Sequence, residues 1–332
     1  MKYIIDGHYD ILMDVAARRK KGERQVIRRR YYPAFQKGGV TGIVASIFVD
    51  SQYLPYGALS VAMEQISALH CEIEETPDLL MLCTSADDFL RAAETGKIGF
   101  LLSFEGAEPV SSCLLLHGFY AAGVRGLGLA WSRRNAAADG CDFSGSLKKG
   151  GLTEFGRELV KEAEDLHMIL DLSHLSDEGV EDVLSITSCP VIASHSNSRT
   201  VAGSNRNLTD CQMREIASRG GTVGLNGCSL LTAGPGVSPD QNGLTAHLDH
   251  MTEIIGEDHV AFGFDFCDSF FADDLSSSTD QMPERPFDIL SGAHEDLPAF
   301  LDHLRQHGYT ESHLAKLAGE NWLHTFRHIL KH

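Results

Sequence analysis

Short apolar runs in this 332-residue chain repeatedly end in a side chain that can bind a metal ion or carry a proton. MKYIIDGHYDIL puts His8 and Asp10 just beyond Tyr3, Ile4 and Ile5. SFEGAEP carries Glu105, LDLSH ends in His174, IASHS carries His195, and FGFDF carries Asp265. Each is unremarkable alone: a histidine beside an apolar run is usually a satisfied core residue, and a histidine two residues from an aspartate suits an ordinary turn. Five runs ending in this way form a pattern. Alternate strand side chains share a face, so His8 and Asp10 are expected to point the same way and approach a metal from one rigid element. Three imidazoles (His8, His174, His195) and two carboxylates (Asp10, Glu105) suit zinc and, with no cysteine among them, tolerate manganese or cobalt. Four ligands fill one structural site, whereas five suggest two ions sharing one. Glu105 is the natural bridge, because a carboxylate has two oxygens and Glu105 lies between the two histidine groups in chain order. Two such ions can together hold a hydroxide and polarise a carbonyl. The chemistry is metal-assisted hydrolysis, with the bond not yet named.

Elements at fixed spacing must bring these residues together. Candidate strands begin at Tyr3 and continue with TGIVASIFV, IGFLLSFEG, VRGLGLAW, MILDLSH, PVIASHS, GTVGLNG and HVAFGFDF. Between them lie stretches with helical spacing of apolar residues, such as TEFGRELVKEAEDLH and DEGVEDVLSI, where Thr153 and Ser176 stand as N-caps. Strand–helix alternation repeated eight times predicts a (β/α)8 TIM barrel, with a doubly wound open sheet as the alternative. Barrel enzymes carry catalytic groups at the C-terminal ends of their strands, where the residues above fall. No GxGxxG or GxxxxGK[ST] follows a strand, so nothing supports nucleotide cradling. One domain over 1–332 is expected, with a basic excursion at about 16–38. A long polar loop is expected at about 267–292, with helical pattern resuming near Ala293.

The bulk properties narrow the partners. A net charge of −18 argues against general nucleic-acid binding, and the 43% hydrophobic content supports a large core. ARRKKGERQVIRRR runs against this acidity, with eight basic residues from Arg18 to Arg30. It reads as a solvated surface excursion, with an anionic-partner patch as the alternative. The eight cysteines form no CxxC pair, and several, such as Cys189 and Cys267, have apolar neighbours in sequence. Reduced, buried thiols are expected. No signal peptide or membrane-length apolar run is evident, so a cytoplasmic protein without membrane contact is expected.

The motifs taken together resemble the membrane dipeptidase (renal dipeptidase-like, M19) family over nearly the whole chain. DGHYDI matches its opening Asp-Gly-His-x-Asp, followed in family order by FEG, LSH and SHS. GSNRNLTD matches its Arg-Asn element, FGFDF its Gly-x-Asp-Phe element, and GENWLHTF its C-terminal Gly-x-Asn helix. The resemblance implies that His8 and Asp10 bind one Zn2+ and His174 and His195 a second, with Glu105 bridging them. Asp265 would handle protons, and Arg206 would bind the substrate's C-terminal carboxylate, a pairing for which a guanidinium is well shaped. The implied reaction is hydrolysis of a dipeptide by a metal-bridging hydroxide, often with a D-residue at the C-terminal position. Family members are often homodimers, although no stretch of this sequence marks an interface. One position departs from the pattern: mammalian members have a substrate-contacting histidine at the end of the fourth strand, where LGLAWSRRN carries Trp131. Asn135, Arg133 or Arg134 could supply the missing contact, and Trp131 could touch substrate or simply close the barrel mouth. Trp131 also keeps open another binuclear-metal amidohydrolase, acting on a cyclic amide, lactone or N-acyl amino acid. The remaining alternative is a non-catalytic metal-binding protein.

Overall fold

The computed structural model describes residues 1–141, 150–271 and 286–330. Its sheet is all parallel. The strands are β1 (Ile5–Tyr9), β2 (Gly42–Phe48), β3 (Leu80–Leu82), β4 (Ile98–Glu105), β5 (Val124–Gly128), β6 (Ile169–Asp171), β7 (Ile192–Ala193), β8 (Thr222–Leu225) and β9 (Val260–Phe262). Pairing runs β1-β2-β4-β5-β6-β7-β8-β9, with β3 set beside β4 outside this path. Eight strands thus build the (β/α)8 barrel; seven fall within their expected runs, while β1 starts two residues later than Tyr3 and runs on through His8 to Tyr9. The expected caps are present: Thr153 Oγ1 accepts from the Gly156 amide (3.0 Å) and Ser176 Oγ from the Gly179 amide (3.1 Å). Of the long loop expected at 267–292, residues 272–285 lie outside the described residues. After it, a single turn at Ala293–Asp296 leads into the helix Leu297–Gln306.

Inward-facing positions change character up the barrel. Ile5, Val44, Leu101, Ile169, Ile192 and Ala261 cluster with Trp322, Leu323 and Phe326 of the C-terminal helix. That helix (Asn321–Ile329) closes the barrel floor. Trp322 is fully buried and donates from Nε1 to the Phe262 carbonyl (2.8 Å), and a Cβ on Gly7 would lie 2.4 Å from its ring. One position along in the alternation come Ser46, Ser103, Asp171, Ser194 and Gly263. A Cβ at Gly263 would lie 1.8 Å from the Ser194 carbonyl, so this middle layer is tightly drawn in. On β4 the series Leu101, Ser103, Glu105 runs from apolar floor to ionisable mouth.

No ladder joins β9 to β1, and Asp6 bridges them instead. Its Oδ1 accepts from the Phe264 amide (2.9 Å), its Oδ2 faces His294 Nε2 (2.8 Å), and the Asp265 amide donates to the His8 carbonyl (3.3 Å).

The basic excursion lies at the surface, with Lys20, Lys21, Arg24, Arg29 and Arg30 exposed, while Arg18 and Arg19 are drawn inward. Its charges are met mostly by acids from the helix Ala58–Glu75 and by acids close by. Arg18 is buried against Asp14 (2.6 Å), Arg19 pairs with Glu72 and with Glu75 (2.7 Å), Arg28 pairs with Asp78, and Arg30 reaches Glu23 (3.1 Å). The expectation of buried thiols fails at Cys189 and Cys211, which are exposed. Cys189 sits in the short link before β7, where apolar sequence neighbours do not enclose it. No helix among the described residues is long and apolar enough to cross a membrane.

Candidate metal centre at the barrel mouth

Strand ends and the turns after them carry the site. Glu105 is the last residue of β4, and His8 lies inside β1. Asp10 is past the strand, at the N-cap of the helix Ile11–Lys20, after an irregularity in β1 pairing between Asp6 and Tyr9. A bulge and a helix start therefore bring Asp10 alongside His8, where simple strand alternation had been expected. His174 and Asp265 lie beyond β6 and β9 with φ of 69° and 60°, left-handed backbone that L residues rarely adopt and that is often held at functional sites.

The five predicted ligands converge. His8 Nε2 lies 3.6 Å from both Asp10 Oδ1 and Glu105 Oε1. Glu105 Oε1 lies 2.9 Å from His174 Nε2 and 3.5 Å from His195 Nε2. Two donor groups result, His8–Asp10–Glu105 and Glu105–His174–His195, with Glu105 common to both. All five residues are buried.

A metal pair fits this donor set. Ligand atoms about 2.0–2.1 Å from a tetrahedral ion stand roughly 3.4 Å apart, close to most of the separations found. Among the described residues, His8 Nε2 and Glu105 Oε2 are buried without a hydrogen-bond partner. The outer nitrogens of the other two imidazoles are occupied, His174 Nδ1 by Ser132 Oγ (2.8 Å) and His195 Nδ1 by Ser194 Oγ (2.6 Å), so both Nε2 atoms face inward. Ser194 Oγ is also hydrogen-bonded to Asp171 Oδ2 (2.5 Å), and Ser46 donates to Asp10.

Electrostatics agree with a cation site. Burial, helped by the Arg206 charge, drives His174 and His195 well below the usual imidazole range, towards the neutral form that binds metal. At His8 burial also opposes charge, but Glu105, Asp10 and Asp265 outweigh it and push the imidazole up to about 10. Burial and the Asp10 charge raise Glu105 well above the carboxylate range, and burial raises Asp265 to about 6. A divalent cation would offset this crowding of buried carboxylates.

Arg206 is buried at the edge of the centre. Nη1 donates to Ser196 Oγ and Nη2 to the His195 carbonyl, both at 2.8 Å, and it forms no ion pair among the described residues. The half-buried Trp131 has its ring centroid 5.7 Å from that of His174 and 5.4 Å from that of Phe48. The Arg133 guanidinium lies 5.0 Å from the Trp131 ring and pairs with Glu108 (3.1 Å). Arg134 turns away to Asp139, and the Asn135 amide binds the Leu129 carbonyl and the Ala137 and Ala138 amides of its own turn.

Sequence reading passed over Asn226, although GLNG ends the seventh expected strand. Its Nδ2 donates to Asp265 Oδ2 (3.0 Å).

Residues 2–331 match the sequence profile described as membrane dipeptidase (peptidase family M19). An uncharacterised Klebsiella pneumoniae protein from the pqqA 5' region is 32% identical over 283 residues, which is 83% of this chain and 98% of that one. Among solved structures, dipeptidase AC, a metallopeptidase of family M19, superposes with a TM-score of 0.83 at 30% identity, covering 99% of this chain and 98% of its own. A metallopeptidase from Rhodobacter sphaeroides, solved with a phosphinate mimic of the dipeptide L-Ala-D-Ala, gives a TM-score of 0.83 at 29% identity, covering 98% and 99%.

Proposed function

We propose, for a chain that belongs to the membrane dipeptidase family (peptidase family M19) and is a metallo-dipeptidase, that it cleaves dipeptides with a free C-terminal carboxylate, accepting a D-residue at that position. The observation that carries this reading is Arg206. A buried guanidinium with, among the described residues, only neutral hydrogen-bond acceptors beside His195 favours an anionic group on the substrate. The L-Ala-D-Ala mimic in the Rhodobacter neighbour supports the D-residue.

His8 and Asp10 would hold one Zn2+ and His174 and His195 the other, with Glu105 shared and Mn2+ or Co2+ able to substitute. Bound there, the two ions would activate the attacking water and polarise the scissile carbonyl. The chain's own groups do the rest. Arg206 anchors the carboxylate and so limits substrates to those ending one residue past the scissile bond. Asp265, with Oδ1 3.8 Å from His8 Nε2, takes the proton released by the water and passes it to the leaving amine nitrogen. Its raised proton affinity suits that exchange. Trp131, beside His174, would border the substrate's first residue. That ring also supports a second reading, an amidohydrolase for cyclic amides, lactones or N-acyl amino acids. Assays of L,L- and L,D-dipeptides beside one member of each of those classes distinguish the two. Cleavage of the dipeptides alone supports the first, and cleavage of only the others refutes it.

A further inference from the structure

The geometry points to Asn226 as a positioning residue for the reaction, one that fixes the carboxylate of Asp265; this inference rests on Asp265 being the proton carrier. Asn226 follows the last residue of β8 and is fully buried. Its amide has a single orientation available. Oδ1 accepts from the Cys228 amide (2.7 Å), so Nδ2 is the end that faces Asp265, donating to Oδ2 at 3.0 Å.

The backbone of Asn226 is held as firmly. Its N–H donates to Asn197 Oδ1 (2.9 Å) and its carbonyl accepts from Asn197 Nδ2 (3.1 Å). Strand β7 has ended by this level, and the Asn197 side-chain amide takes the place of the peptide group that a continuing strand would offer. Asn197 is itself fully buried, and its Nδ2 also lies 3.5 Å from both the Leu231 carbonyl and Thr232 Oγ1.

Asp265 depends on this support. With Oδ2 held by Asn226, Oδ1 is the oxygen turned towards His8 Nε2. Without the amide, the long contact from Cys267 Sγ to Oδ1 (3.8 Å) is a weak restraint, and the carboxylate is freer to rotate about its last torsion. Asn226 Nδ2 also lies 3.5 Å from the His195 carbonyl, the oxygen to which Arg206 donates. One asparagine therefore adjoins both the oxygen that anchors Arg206 and the carboxylate that moves the proton.

The test is steady-state hydrolysis of L-Ala-D-Ala by the zinc-loaded Asn226→Ala, Asn226→Asp, Asp265→Ala and Asn226→Ala/Asp265→Ala variants. Metal content and thermal unfolding are measured on each. Asn226→Asp keeps an acceptor for the Cys228 amide but sets an oxygen against Asp265, so it separates positioning from support of the turn. Loss of one hydrogen bond to a charged group predicts kcat lowered about 10- to 100-fold in both Asn226 variants, with KM within about 3-fold. Metal content should match wild type, and Asn226→Ala should cost nothing further in the Asp265→Ala background. Wild-type kcat in Asn226→Asp, or an undiminished loss when Asn226→Ala is added to Asp265→Ala, overturns the role of Asn226 and leaves Asp265 standing. Wild-type kcat in Asp265→Ala overturns the assignment of Asp265 and this role with it. If Asn226→Ala does not fold, Asn226→Asp alone decides.

Discussion

Replacing Arg206 with methionine, which retains the apolar stem, tests the anchoring of substrate. A guanidinium has five N–H donors. Ser196 and the His195 carbonyl each take one, leaving three, enough for two parallel bonds to a carboxylate. Two hydrogen bonds to a charged group at about 1.5–2 kcal/mol each give about 3–4 kcal/mol, or a loss of roughly 10²–10³-fold in kcat/KM. The assay crosses enzyme with substrate, measuring wild type and Arg206→Met on L-Ala-D-Ala and on the same dipeptide with a C-terminal amide. Wild type should prefer the free acid by about the same factor as the mutation costs, and the variant should have little preference left. Metal content and unfolding serve as controls, because Arg206 also braces the His195 carbonyl. Equal losses on acid and amide, with the preference intact, would refute the reasoning.

Three further outcomes follow from the structure. His247, mostly buried between the Ser198 amide and the Thr232 carbonyl, has its pKa lowered by burial from 6.5 to about 4. Below 6.5 the unfolded chain therefore binds the extra proton, and stability should fall as pH drops from about 6.5 to about 4. The contribution between pH 7 and 5 is about 2 kcal/mol by linkage, read as the difference between wild type and His247→Gln in how far the urea-unfolding free energy falls from pH 7 to pH 5. Trp322→Ala should cost about 3–5 kcal/mol in the same assay, since it empties the barrel floor and removes the bond to Phe262. Ser132→Ala removes the partner of His174 Nδ1 and should weaken metal binding about 10- to 100-fold in chelator competition, with little change in fold.

The barrel was legible because alternation repeats eight times and each strand is a buried, largely apolar run bounded by polar turns. β3 escaped notice: its three residues pair only with the first half of β4, too short a stretch for any period to appear. The residues that converge at the barrel mouth could be picked out by type and by place at strand ends, but not the means that bring them together. Asp10 depends on a bulge and a helix start, and His174 and Asp265 on left-handed turns that no side-chain pattern announces. Asn226 was missed because asparagine is neither a common metal ligand nor an acid or base, so its value appears only once Asp265 stands opposite it. The basic excursion lies at the surface as its composition suggests, but composition cannot show that Glu72 and Glu75, about 50 residues on, become the partners of Arg19 in the fold.

The central claim is that the convergent cluster holds a catalytic metal pair. Its most direct test is zinc titration into metal-stripped protein, with bound metal and L-Ala-D-Ala hydrolysis followed together. The account predicts two equivalents bound per chain and turnover that rises with occupancy, with both lost from Glu105→Ala, the residue common to both groups. Tight binding of a single equivalent, or turnover that persists in metal-stripped protein, would contradict it.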